Sequence, residues 1–165
     1  AAVDAAAECG WTPLLFATQE DHIDVVSVLL AHGAALHYAT HTGRTALVVA
    51  AQEGRAAILA RLLAARADLD GAMTEGWTAL CFAAHAGSTD VVAAMLDGGA
   101  SPATATSTGW MPLHLATKAG HAESVAVLAR CSATPLDARL PAEGDVGSTP
   151  LHFAAHSGDA AIVRL

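Results

Sequence analysis

The chain has 165 residues, of which 53% are hydrophobic but only 4% aromatic, so most of its apolar bulk is Ala, Leu and Val. Its formal net charge of -8 argues against binding to nucleic acid or to an anionic membrane surface, because an acidic chain gains nothing from counterion release. No apolar run reaches the roughly 18 residues of a membrane-spanning helix, and no signal peptide is visible. The cysteines Cys9, Cys81 and Cys131 are odd in number and far apart, and they form no metal-spaced pair. Unpaired cysteines suit a reducing compartment, so we expect an intracellular, cytoplasmic location.

A short phrase recurs along the chain and sets its organisation. The copies read GWTPLLFATQED (10–21), GRTALVVAAQEG (43–54), GWTALCFAAHAG (76–87), GWMPLHLATKAG (109–120) and GSTPLHFAAHSG (147–158). The opening glycines Gly10, Gly43, Gly76 and Gly109 are 33 residues apart, and the step to Gly147 is 38. Self-similarity at such a period is the signature of a repeat architecture, so each copy is expected to be one structural unit.

Each unit predicts a first helix that begins just after the opening glycine. Threonine at the N-cap and proline at the first helical position favour helix initiation, as in Thr12, Thr45, Thr78 and Thr149 and in Pro13, Pro112 and Pro150. Core columns are predicted at Leu14, Leu47, Leu80, Leu113 and Leu151, and at Ala17, Ala50, Ala83, Ala116 and Ala154, where only a methyl group fits. Another column holds Phe16, Val49, Phe82, Leu115 and Phe153. The helix should end at a positive φ, filled by Gly54, Gly87, Gly120 and Gly158 and once by Asp21.

A second helix is predicted to follow in each unit. Apolar residues recur at i, i+1, i+4 and i+5, which places them on one helix face: Val25, Val26, Leu29, Leu30; Ile58, Leu59, Leu62, Leu63; and Val91, Val92, Met95, Leu96. Gly33, Arg66, Gly99 and Ser132 close these helices, Ala34, Ala67, Ala100 and Ala133 follow, and a hairpin-like loop returns to the next glycine. Because helices this short are marginal alone, the units must stack and share one core.

The period, the Thr-Pro-Leu-His phrase, the Gly between two helices and the Gly-Ala after the second resemble the ankyrin repeat over nearly the whole chain. The resemblance implies an all-α solenoid of stacked helix-turn-helix units with hairpin-like loops, forming a single domain over 1–165. Its repeats would be 10–42, 43–75, 76–108, 109–146 and 147–165, the last incomplete, and 1–9 would be the tail of a preceding repeat. Both ends are therefore expected to be cut from a longer array.

Two expectations come from departures within the repeats. In the family, the Thr and His of the phrase hydrogen-bond and brace the turn; repeat five keeps both as Thr149 and His152, and repeat four keeps His114 beside Met111. In repeat five, Ile162, Val163 and Leu165 begin a second helix that no following repeat shields. The C-terminal end is therefore expected to be the least stable part, with weak self-association through the ends.

The resemblance implies a non-enzymatic module or scaffold that binds another protein through its concave groove and loop tips, with no cofactor. No nucleophile–base pair, phosphate loop or carboxylate dyad is recognisable. The alternative is a regulatory or anchoring array of a larger enzyme or channel, whose catalytic or pore part lies outside this sequence. The sequence of the parent gene beyond both ends would distinguish the two.

Two columns are candidates for partner contact. The position after the opening glycine, at the edge of the concave face by resemblance, holds Trp11, Arg44, Trp77, Trp110 and Ser148. Trp and Arg are enriched in binding hot spots, yet an indole can equally well cover the neighbouring hairpin. The end of each first helix lines the groove by resemblance and holds Gln19–Glu20, Gln52–Glu53, His85–Ala86, Lys118–Ala119 and His156–Ser157. This row predicts a partner with basic groups facing repeats one and two; the alternative is an ordinary solvated face.

Three further features are weighed against simpler explanations. The pairs His152/His156 and His37/His41 have a spacing that can share a metal ion, but the H-E-x-x-H form is absent and His152 has a structural role in the family, so no metal site is predicted. A methyl-lysine cage would need aromatic rings from separate repeats. The five extra residues in 133–147, with Pro135, Pro141, Asp137, Arg139, Glu143 and Asp145, are either neutral drift or part of a binding face.

Overall fold

A computed structural model of the chain describes residues 2–71, 73–141 and 147–164. In this part of the chain, helices occur in pairs. The first helices are α1 (Pro13–Gln19), α3 (Ala46–Gln52), α5 (Ala79–Ala86), α7 (Pro112–Ala119) and α9 (Pro150–Ser157), and the second helices are α2 (Ile23–Ala31), α4 (Ala56–Ala64), α6 (Thr89–Asp97), α8 (Ala122–Arg130) and α10 (Ala160–Val163). The predicted all-α class is confirmed.

The helices form two layers that share one core. Each first helix packs against the first helix of the next repeat, and each second helix does the same in its own layer. Small side chains allow the close approach: the alanine column of the first helices, Ala17, Ala50, Ala83, Ala116 and Ala154, is at most 5% exposed. One continuous cluster of buried residues runs from Leu14 to Ile162, as expected for stacked repeats.

Local signals fix the ends of the first helices. The hydroxyl oxygens of Thr12, Thr45 and Thr78 accept hydrogen bonds from the backbone N–H groups three residues later, which confirms these N-caps. The left-handed positions are also confirmed: φ is 60° at Asp21, and 68°, 73°, 77° and 71° at Gly54, Gly87, Gly120 and Gly158. Each left-handed residue ends one helix and lets the next begin within a few residues.

The return segments are hairpin-like, as predicted. The backbone N–H of Thr40 donates to the carbonyl of Arg44 at 3.0 Å, and Ala39 and Thr45 form an antiparallel bridge. Thr106 repeats the first of these bonds with Trp110 at 2.9 Å. Among the described residues, no helix is both long and apolar enough to cross a membrane.

The equivalence predicted for Ala133 is wrong. Ala34 and Ala100 are buried after their second helices, whereas Ala133 is exposed and Thr134 takes the buried position, where its hydroxyl donates to the Leu128 carbonyl at 2.7 Å. The helix before it ends at Cys131 in an extended conformation, without a left-handed residue at Ser132. One of the five extra residues therefore lies here, before Thr134.

The remaining extra residues fall between Leu140 and Gly147, where 142–146 lie outside the described residues. In the hairpin before repeat four, the Gly109 N–H bonds to the Thr106 carbonyl, three residues earlier. Before repeat five, the corresponding bond runs from the Gly147 N–H to the Leu140 carbonyl, seven residues earlier. Glu143 and Asp145 of this insertion lie outside the described residues. Pro141, at the start of this stretch, lies against Gly109, where an added side chain would clash with the proline ring.

Two predicted core positions are exposed instead. Val25 is 47% exposed because α2 packs against α1 and α4, whereas α4 and α6 each lie between two second helices. Leu151 is 58% exposed because α9 packs against α7 and α10, whereas α3, α5 and α7 each lie between two first helices. Both positions are covered in the interior repeats by a neighbouring helix. Leu165 lies outside the described residues.

Candidate partner-binding site

The three tryptophans are half-buried and each contacts a phenylalanine. The ring centroids of Trp11 and Phe16 are 5.1 Å apart and those of Trp77 and Phe82 are 4.8 Å apart. Trp110 contacts Phe153 of the next repeat at 5.2 Å, since Leu115 stands at the position of the aromatic residue in its own repeat. The interplanar angles are similar, 39°, 42° and 36°. The indoles therefore have a packing role and also keep an exposed part.

In repeats three and four, the side chain near the end of the first helix contacts the indole of the same repeat. The Lys118 ammonium lies 4.3 Å from the centre of the Trp110 ring, within the range of a cation–π contact, and 5.8 Å from that of Phe153. The His85 ring meets Trp77 edge-on, with centroids 5.9 Å apart and planes at 88°. The two candidate columns of the sequence are thus in contact in repeats three and four.

We call the residues at the ends of the first helices the first-helix row: Gln19, Glu20, Gln52, Glu53, His85, Lys118 and His156. All of them are exposed except Gln52, which is half-buried. The row carries carboxylates in repeats one and two and a lysine and histidines in repeats three to five. Arg44, which follows the opening glycine of repeat two, is half-buried, and its backbone N–H donates to the Thr40 hydroxyl at 3.2 Å.

Arg55 joins the first two repeats next to this row. Its guanidinium donates from Nη1 to the Asp21 carboxylate at 3.4 Å and from Nη2 to the Gln19 carbonyl at 3.2 Å. His121 makes the equivalent contact two repeats later, with Nε2 3.1 Å from the His85 carbonyl. Arg55–Asp21 is the one ion pair formed among the described residues, so the carboxylates of Glu20 and Glu53 have no ion-pair partner there.

The histidine brace behaves differently in the last two repeats. His114 is fully buried: Nδ1 accepts from the Met111 backbone N–H at 3.3 Å, and Nε2 lies 2.9 Å from the Ala138 carbonyl in the following hairpin. Burial lowers the pKa of His114, although the bond to Ala138 opposes the shift. In repeat five, Nδ1 of the exposed His152 lies 2.8 Å from the Thr149 hydroxyl, which confirms the predicted Thr–His bond.

Cys81 and His37, whose side chains have reactive or metal-binding atoms, are in contact with neighbouring side chains. Burial raises the pKa of the Cys81 thiol, which accepts a hydrogen bond from the Thr78 hydroxyl. His37 stacks on Tyr38 with centroids 5.1 Å apart. Within 2–71, 73–141 and 147–164, no three His, Cys, Asp or Glu side chains are grouped so that they could hold a metal ion. The phenylalanine partners of the tryptophans were not predicted from the sequence, although Trp11/Phe16 and Trp77/Phe82 share a five-residue spacing that indicates the contact.

The paired helices, left-handed turns and hairpins at a 33-residue period define a helical repeat protein. A family model described as ankyrin repeats (3 copies) matches residues 1–72 and 50–139, and a model described as ankyrin repeat matches 146–165. The chain belongs to the ankyrin-repeat family. Members of this family are generally protein–protein interaction modules and not catalysts. No curated protein matches the chain.

Proposed function

We propose that this chain is a protein-binding module that recognises its partner through the first-helix row and the adjoining hairpin tips, in the concave groove expected of the family. The observation that carries the proposal is the charge order of the row. Exposed Glu20 and Glu53 have no ion-pair partner among the described residues, and exposed His85, Lys118 and His156 follow them along the stack. A partner segment with basic groups toward repeats one and two complements this order.

The half-exposed tryptophans support the same surface. Each indole is fixed by a phenylalanine, so little conformational entropy is lost when a partner contacts its exposed part. Aromatic residues held in this way are typical anchors of protein interfaces. The proposal therefore combines charged side chains, which orient the partner, with a few rigid aromatic contacts.

Capture of proteins on the immobilised chain tests the proposal. The variant E20A/E53A/K118A removes two acids and one base from the first-helix row. The matched control D97A/E123A/R61A removes the same charges from exposed positions on the second helices. We expect proteins captured by the wild-type chain and by the control to be lost from the row variant, with helical circular dichroism unchanged in all three. Equal capture by both variants would refute binding through this row.

A further inference from the structure

Trp11 and Phe16 form an open aromatic pair. In the other two pairs, the phenylalanines Phe82 and Phe153 are half-buried, whereas Phe16 is 49% exposed. The position that supplies Lys118 in repeat four and His85 in repeat three is occupied by Gln19 in repeat one. Among the described residues, no cation and no ring other than Phe16 contacts the Trp11 indole. Repeat one therefore has the aromatic platform of repeat four without its lysine.

Negative charge lies beside this platform. Phe16 lies in α1 and Glu20 is its C-cap, four residues later; the Glu20 N–H bonds to the Phe16 carbonyl at 3.0 Å, which places both residues on the same side of the helix end. Glu53 stands at the equivalent position of the next repeat. The nearby cation Arg55 pairs with Asp21 and bonds to the Gln19 carbonyl, and it forms no ion pair with Glu20. An aromatic face next to a carboxylate suits a guanidinium or ammonium group, which can stack on the ring and pair with the acid.

We propose that Trp11, Phe16 and Glu20 form a subsite for an arginine or lysine side chain of the protein partner. Lys118 on Trp110 shows the contact within one molecule, and in repeat one the cation comes from the partner. Arginine fits better than lysine, because its planar guanidinium stacks on the ring while its N–H groups reach the carboxylate. The inference rests on the proposed function and names the chemistry that one end of the groove recognises.

Titration of the whole chain with a short basic peptide tests the subsite. The probe is acetyl-(Gly-Arg)3-amide, with acetyl-(Gly-Glu)3-amide as the control of opposite charge, and the observable is the indole N–H resonance of each tryptophan. We expect Trp11 to shift more than Trp77 and Trp110 with the arginine peptide, and none of them to shift with the glutamate peptide. Equal shifts of all three indoles would mean general attraction to a chain of net charge -8 and would overturn the proposal.

Matched variants separate stacking from charge. F16L and E20Q should each weaken binding of the arginine peptide several-fold. F82L, the same change in repeat three, and E123Q, the same loss of charge on exposed α8, should leave it unchanged. K118E removes the cation from Trp110 and adds a carboxylate, so Trp110 should become a second responding indole. Equal effects of E20Q and E123Q, or a silent Trp110 in K118E, would contradict the subsite.

The failure of the subsite is distinguishable from the failure of the proposed function. If the captured partner is lost from E20A/E53A/K118A but is retained by F16L and E20Q, the row binds the partner and the subsite is wrong. If capture is insensitive to the row variant, the proposed function itself is wrong, whatever the peptide does.

Discussion

His114 ties α7 to the hairpin segment that leads into repeat five. Its Nδ1 accepts a bond from the Met111 N–H, so the proton is on Nε2, which donates to the Ala138 carbonyl. The His114 ring meets the rings of Trp110 and Phe153 edge-on, with centroids 6.1 Å and 6.4 Å away, and Lys118 lies over the same Trp110 ring. Protonation of Nδ1 would break the bond to Met111 and place a charge in a buried site. The neutral form is therefore favoured in the folded state.

This geometry predicts that acid destabilises the protein through His114. Because burial lowers its folded-state pKa, the unfolded chain takes up the proton first as the pH falls below about 6.5, and stability is lost from there down to the folded-state pKa. Urea unfolding should give a lower free energy of unfolding at pH 5.5 than at pH 7.5. H114Q should reduce this dependence, and H156Q, at an exposed position, should not.

Proton NMR of the imidazole rings checks the assignment directly. We expect the His114 ring to titrate below the ordinary histidine value of about 6.5. A His114 pKa at or above the ordinary histidine value, or an unchanged pH dependence in H114Q, would contradict the account.

Among the helical elements, α9 and α10 should be the least protected. Leu151 in α9 and Val163 in α10 are 58% and 47% exposed. Their counterparts in the interior repeats are buried. Each half-exposed side chain therefore loses on the order of 1 kcal/mol of hydrophobic stabilisation. Amide hydrogen exchange in a dilute sample should show protection factors roughly ten- to hundredfold lower for α9–α10 than for α3–α6. Equal protection would contradict this prediction.

The same measurement addresses association between copies. Weak self-association through the ends stays a prediction, in which the exposed Leu136, Leu151 and Val163 would be covered by a second chain. Protection of α9–α10 should then rise with protein concentration while that of α3–α6 stays constant. Protection independent of concentration would argue against it.

The sequence predicted the regular elements well, because their signals are local. A threonine cap, an apolar period and a left-handed residue each act within one helix, so Thr12 and Asp21 could be assigned from their own neighbourhood. The insertion could not be placed, because the count of residues does not say where the extra ones lie. One extra residue precedes Thr134, and the others fall between Leu140 and Gly147, two residues joined by a backbone hydrogen bond. Exposure of Val25 and Leu151 was missed because the apolar period is the same with or without a neighbouring helix.

At the scale of the whole molecule, the period alone predicted the stack, because one repeat cannot bury its own apolar face. Contacts between columns were not predictable in the same way. Trp110 contacts Lys118 of its own repeat and Phe153 of the next one. These contacts depend on which residues stand at positions 115, 118 and 153, and Leu115 replaces the aromatic residue of repeats one and three. Such combinations differ from repeat to repeat, and they give each part of the first-helix row its own chemistry. The repeated frame specifies the fold, and the departures from it specify the surface.

Site-specific photo-crosslinking tests the binding surface most directly. A benzophenone amino acid placed at Glu53, in the first-helix row, is compared with one at Ala60, an exposed position on α4 of the same repeat. If the partner binds the row, irradiation of the complex should crosslink it from position 53 and not from position 60. Crosslinking from position 60 alone, or equally from both, would contradict recognition through the first-helix row.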